Sequence, residues 1–269
     1  MDSYQEMVRP WFKPKKSLKW VGKSVNVLKM STAILTFLLI WEAAPRLNLV
    51  NPVFLPPFSF VLIGAWELII NGQMFAHVSA SLSRSISGFF IAITLAIPIG
   101  LVIGWSKRLS LWINPLLELF RNTAALAVLP VFILLLGIGE TSKVAVVSYA
   151  CFFPILISTV SAVRHVDPLL IKAGQSLALS RLRLFQKVIL PAAIPSIFVG
   201  LRLAAAASIL VLVAAEMIGA KAGLGYLIIS SQHSFQIPYM YAGILTISIL
   251  GLVVNGVLVQ IEQRLLHWK

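Results

Sequence analysis

Apolar residues run through this chain in long unbroken blocks. Four stretches, Ser85–Ser106, Asn122–Gly139, Val144–Val163 and Ala222–Ile261, contain no Asp, Glu, Lys or Arg. A helix crosses a bilayer core with about 17–25 residues, and each stretch supplies that length. Core helices of a water-soluble fold keep a polar outer stripe, which these blocks lack. Strands of a membrane barrel alternate apolar and polar positions over about 10 residues, and these blocks do not alternate. The pattern therefore predicts an all-α polytopic membrane protein, because a helix satisfies its own backbone in lipid. About six spans are expected, near residues 25–44, 80–104, 112–137, 144–164, 191–214 and 237–261. The third is the least regular. Its first half, with Asn114, Pro115, Glu118 and Arg121, also reads as a separate helix at the cytoplasmic interface. Pro56-Pro57 predicts a turn, followed by an amphipathic helix over residues 58–71 on the outer face.

Composition agrees with the pattern. Of 269 residues, 59% are hydrophobic and only 12% charged, with a mean hydropathy of +0.93. The formal net charge of +13 would suggest nucleic acid as a partner in a polar protein. Here it reads instead as a topological signal. With the N-terminus in the cytoplasm, 16 of 22 basic residues fall inside, and only Arg46, Lys143 and Lys221 fall outside. That bias puts both termini in the cytoplasm. The first 24 residues form a basic cytoplasmic segment, and residues 25–269 the membrane domain. No small-residue cleavage site follows Met30–Trp41, so an uncleaved first span is expected. His77, His165, His233 and His267 lack metal-ligand spacing, and no metal site is expected. The single Cys151 sits in an apolar run and has no partner for an intrachain disulfide.

One internal cytoplasmic loop is long and polar, at about residues 165–190. Asp167-Pro168 predicts a helix start, with Asp as the capping acceptor and Pro at the first helical position. Leu169, Leu170, Ala173 and Leu177 then recur at helical spacing. A second short helix is expected from Ser180, with Leu184, Phe185 and Val188 on its apolar side and Pro191 opening the next span. Such a hairpin, flanked by Arg181, Arg183 and Lys187, suits either docking of a cytosolic partner or contact with anionic lipid.

Lys172–Pro191 resembles the cytoplasmic "EAA" loop of permease subunits of ATP-binding-cassette importers, with Ala173, Val188, Leu190 and Pro191 in register. Lys172, Gly174 and Ala178 stand where that pattern usually has Glu, Ala and Gly. NPVFLPP at Asn51–Pro57, LGIGETSK at Leu136–Lys143, AAIPSIFVGLRLA at Ala192–Ala204 and AAEMIGAKAGLGYLI at Ala214–Ile228 are similar to the nitrate, taurine and aliphatic sulfonate branch. Ala124-Ala125 replaces prolines frequent in that branch.

The resemblance implies a type I importer permease fold without cofactor or catalytic residues, in the inner membrane. It also implies a second permease copy, most simply a homodimer. Two copies of a separate ATPase would bind ATP and Mg, and an extracytoplasmic binding protein would deliver the substrate. The coupling loop would use Lys172, Ala173, Gly174, Leu177, Ala178 and Ser180, with Leu177 and Ala173 as the main contacts. The implied substrate is taurine or an aliphatic sulfonate, with nitrate or bicarbonate as alternatives.

An intramembrane charge points to function by default. Arg202, Arg121 and Glu216 are therefore candidates for the substrate pathway. Arg202 has a second reading, as a structural arginine held by backbone carbonyls or a carboxylate. Arg121 is placed to pair with Glu118, and Arg84, near the outer end of the second span, to snorkel to the interface. Gly100 and Gly104 permit close helix packing, a pattern frequent by chance. Gly223 and Gly225 predict a tight turn before the last span. The competing class, a stand-alone secondary transporter or channel, would carry midplane carboxylates or inverted repeats, neither of which is evident.

Overall fold

The computed structural model describes residues 32–265. Among them there are helices and no strands. The chain divides into two compact units at Phe60–Val61.

In the first unit, α1 covers residues 32–46 and is the described part of the first expected span. Glu42 accepts hydrogen bonds from the backbone N–H and the hydroxyl of Ser59, both at 2.9 Å, and pairs with Arg46. The Trp41 indole donates to the Pro56 carbonyl at 3.1 Å. These bonds fold the Pro56-Pro57 segment back onto α1.

The expected amphipathic helix is α2, Phe58–Ile70. Its exposed positions include Phe60, Leu62, Ile63 and Trp66, so its outer side is apolar where a polar face was expected.

The second unit contains α3 (Gln73–Trp105), α4 (Lys107–Asn122), α5 (Leu129–Leu136), α6 (Glu140–Arg164), α7 (Pro168–Ser176), α8 (Arg181–Leu184), α9 (Leu190–Met217), α10 (Leu224–His233) and α11 (Ile237–Leu265). Four helical stretches here are long and apolar enough to span a bilayer: α3, α6, Arg181–Met217 and α11. The third expected span is not one straight helix. α4 ends at Asn122, Thr123 and Ala124 are extended, a 3-10 turn covers Ala125–Val128, and α5 leaves at 87°. The break thus forms without a proline at 124 or 125. The Thr123 hydroxyl, which bonds the Leu119 carbonyl at 3.1 Å, and Pro130 in the first turn of α5 fit it.

The core is the stack of α3, α6 and α9. Apolar association is weak between helices in lipid, so contact depends on close packing of small side chains. α3 supplies them every fourth residue: Gly88, Ala92, Ala96, Gly100 and Gly104 are all buried. A Cβ at Gly100 would lie 2.7 Å from Thr159 Cβ, and one at Gly104 2.8 Å from Val163 Cβ. The Gly100–Gly104 pair is thus the end of a five-member seam. Large apolar side chains on the outside, including Leu134, Leu210 and Leu252, face outward as they would toward lipid.

The expected second loop helix and fifth span are one helical run, Arg181–Met217. Pro191 does not start a new helix. Lacking an N–H, it cannot bond the carbonyl four residues back, and the turn before it, Phe185–Ile189, widens to π geometry.

Candidate functional site

A buried polar cluster closes one end of the α3–α6–α9 stack. Arg84 on α3 is 5% exposed and Glu216 on α9 is 0% exposed. Arg84 Nη1 donates to Glu216 Oε1 at 2.6 Å and to the Ala222 carbonyl at 2.7 Å. Its Nη2 donates to Glu140 Oε1 on α6 at 2.7 Å, and its Nε donates to Glu140 Oε2. The other ligands of Glu216 are the Ser81 hydroxyl, at 2.8 Å, and the Gly225 N–H, at 2.9 Å. Gly225 is in the first turn of α10, so the carboxylate sits where orphan N–H groups and the helix dipole favour an anion. Gly223 and Gly225 have no room for side chains, since a Cβ at either would collide with Glu216. Close approach to Glu216 is thus a second reason for glycine in the expected turn. Lys143, also buried, donates to the carbonyls of Gly139 at 3.0 Å and Gly219 at 3.4 Å.

Arg84 therefore does not snorkel to an interface; two carboxylates from other helices hold it inside. Glu216, expected near the pathway, is enclosed by this cluster, with its side chain fully buried.

The hairpin lies at the opposite end of α9. Asp167 caps α7 by accepting the Leu169 N–H at 2.8 Å, with Pro168 at the first position as expected. The helix ends in a Schellman motif: Leu179 N–H bonds the Gly174 carbonyl at 3.3 Å and Ala178 N–H bonds the Gln175 carbonyl at 2.9 Å. The motif needs a left-handed residue, and Ala178 supplies it at φ 51°. Gly174 is buried, and a Cβ there would lie 2.5 Å from Leu184 Cδ1, so the hairpin closes over the missing side chain. Leu184 turns inward, whereas Leu169 is 71% and Leu177 76% exposed. Lys172, Ala173 and Ser180 are exposed too.

Arg121 stands at the break between α4 and α5. It lines a cleft of about 500 Å³ with Phe120, Thr123, Tyr149, Phe153 and Ser158. Among the described residues it forms no ion pair with Glu118 or any other carboxylate. Arg202 Nη1 lies 3.1 Å from Glu262 Oε2 on α11, the carboxylate-held geometry that was its second reading. The three pathway candidates thus occupy three separate settings. Arg84 and Glu140 are the partners that sequence reasoning missed. Their separation by 56 residues leaves no local signal, although a buried Arg on a small-residue seam implies a carboxylate facing it.

An α-helical membrane bundle with a broken span and an exposed apolar hairpin continuous with its longest helix has the architecture of an importer's permease subunit. Residues 96–267 match the family of binding-protein-dependent transport system inner membrane components, and the chain belongs to that family. It is 34% identical to the taurine transport system permease protein TauC of Escherichia coli (strain K12), over 93% of this chain and 94% of that protein. It is also 34% identical to SsuC of Bacillus subtilis (strain 168), named for aliphatic sulfonates transport, over 86% of this chain and 83% of that protein. A chain of the MetNI methionine ABC transporter, solved in an inward-facing conformation, shares the fold with a TM-score of 0.63 at 16% identity. It covers 70% of this chain and 94% of that chain.

Removing the Arg84 guanidinium leaves Glu216 buried without its counter-ion, a change that costs about 3–5 kcal/mol. Arg84→Met is expected to lower the melting temperature of the purified protein by roughly 10 °C. Arg84→Met combined with Glu216→Leu, which removes both charges, should recover most of that loss. A single variant that melts like the wild type would contradict the assignment.

Proposed function

We propose that this chain is the permease subunit of an ATP-binding-cassette importer for a small sulfonate anion, taurine or an aliphatic sulfonate. Two copies line the pathway, and a separate ATPase docks on each hairpin and hydrolyses ATP. A binding protein delivers the anion to the outer face, and both termini lie in the cytoplasm. The observation that carries this reading is the hairpin. Its first helix, α7, is capped at both ends, and the apolar side chains Leu169, Leu170 and Leu177 are exposed. A water-exposed apolar knob on a rigid base needs a partner with a groove. The names of the similar permeases support the substrate class.

The hairpin enters an unbroken run from Arg181 to Met217, one residue past Glu216. Displacement at the ATPase therefore travels along one stiff helix to the charged cluster at the other end. The cleft at the α4–α5 break suits the anion. Arg121, with no ion-pair partner among the described residues, can grip a sulfonate with two N–H groups, and Ser158 and Tyr149 add hydroxyl donors. Phe120 and Phe153 stack at 5.7 Å and offer an apolar wall to the alkyl part. Arg202, held by Glu262, is the weaker candidate. The secondary-transporter alternative needs a midplane carboxylate. Glu216 does not serve, since it lies at the end of α9 and is neutralised by Arg84.

Leu177→Asp is expected to abolish co-purification of the ATPase while the permease remains inserted in the membrane; an intact complex would remove the docking assignment. In vesicles containing the assembled importer, Arg121→Gln should raise the taurine concentration for half-maximal uptake about 10-fold or more, the loss of one charge-assisted contact. Unchanged uptake kinetics would exclude Arg121 from the pathway.

A further inference from the structure

Two cavities meet beside the hairpin. One, about 610 Å³, is an apolar groove between α3 and the start of the Arg181 helix, lined by Pro98, Leu101, Val102, Leu182 and Phe185. The other, about 640 Å³, sets Lys107, Arg164, Arg181 and Gln175 among apolar side chains such as Leu111 and Ile171. Trp105 and Arg181 border both. Neither lining contains an acidic residue, and among the described residues Lys107, Arg164 and Arg181 form no ion pair. Trp105 marks the junction and holds its ring edge-on to Phe185 at 5.0 Å. Tryptophan favours the headgroup level of a bilayer, where one end of the ring is apolar and the other wet. An apolar groove, an interfacial Trp and a cavity lined by three cations, in that order, have the polarity of an anionic phospholipid.

We propose that this composite groove binds one anionic phospholipid of the cytoplasmic leaflet, with its phosphate on Arg181, Lys107 and Arg164 and an acyl chain along α3. A positive-inside bias explains why basic residues lie on this side, but not why Arg181 borders the apolar groove while Lys107 and Arg164 line the cavity that adjoins it. The docking face of the hairpin stays free, because Leu169 and Leu177 point elsewhere and line neither cavity. The lipid would brace Arg181, the first residue of the long helix, so that hairpin and bilayer are coupled at one side chain. None of this depends on which anion is transported.

The test is native mass spectrometry of the delipidated full-length permease, titrated with dioleoylphosphatidylglycerol or dioleoylphosphatidylcholine. The wild type is expected to retain the anionic lipid about 10-fold better. Arg181→Gln, alone and with Lys107→Gln, should reduce that preference several-fold. Arg181→Lys, and Arg183→Gln outside the groove, should keep it. Glycerol phosphate, which carries the headgroup without chains, should not compete. Equal retention of the two lipids would overturn the proposal, as would a preference that survives Arg181→Gln or displacement of the lipid by glycerol phosphate. A groove covered by a second permease copy would also overturn it, by showing no bound lipid in the dimer.

Discussion

The structure turns on one almost wholly buried ion pair, Arg84 at 5% and Glu216 at 0% exposure. Taking a guanidinium and a carboxylate out of water costs several kcal/mol per ion, and only close mutual contact and full hydrogen bonding offset it. Arg84 and Glu216 meet that requirement with Glu140, Ser81, the Gly225 N–H and the Ala222 carbonyl. Satisfying one buried charge thus fixes three helices, the turn after α9 and the first residues of α10. The arrangement cannot be loosened in one place without leaving a bare charge elsewhere.

The small-residue seam of α3 makes that geometry reachable. Gly88, Ala92, Ala96, Gly100 and Gly104 let α3 lie close along α6, and Arg84 continues the same four-residue ladder. Packing and electrostatics therefore act along a single stripe of one helix. The far end of α9 is built differently. There the helix passes through a π turn at Phe185–Ile189 before Pro191 and joins the hairpin without a break. One continuous helix thus joins a buried charged end to an exposed end, the arrangement on which the proposed coupling rests.

Much of this was legible in the sequence because the signals are local. The apolar blocks located the spans, Asp167-Pro168 set the start of α7, and the leucines at helical spacing marked the exposed face of the hairpin. What was missed depends on partners distant in sequence. Arg84 was placed near a span end and read as snorkelling, since the carboxylates that hold it lie 56 and 132 positions away. Glu216 looked available for the same reason. The bend after Asn122 lacks its proline signal, so the sequence leaves the third span open between one continuous helix and a separate first half, and the 87° break bears out the second. Ala178 takes the left-handed conformation at φ 51° that glycine would adopt more cheaply, because the Schellman motif demands it. Tertiary demand overrode local preference there.

The central claim is that one stiff helix links the hairpin to the charged cluster. Spin labels at Leu182 and Met217, both exposed, would be about 50 Å apart along such a helix. Their separation can be measured by pulsed electron resonance in the assembly proposed above, with one copy labelled, with and without ATP. One stiff helix gives one narrow distance that is the same in both states. A second population shortened by more than about 5 Å on adding ATP would mean that the run bends, at a point such as the π turn, and would contradict it.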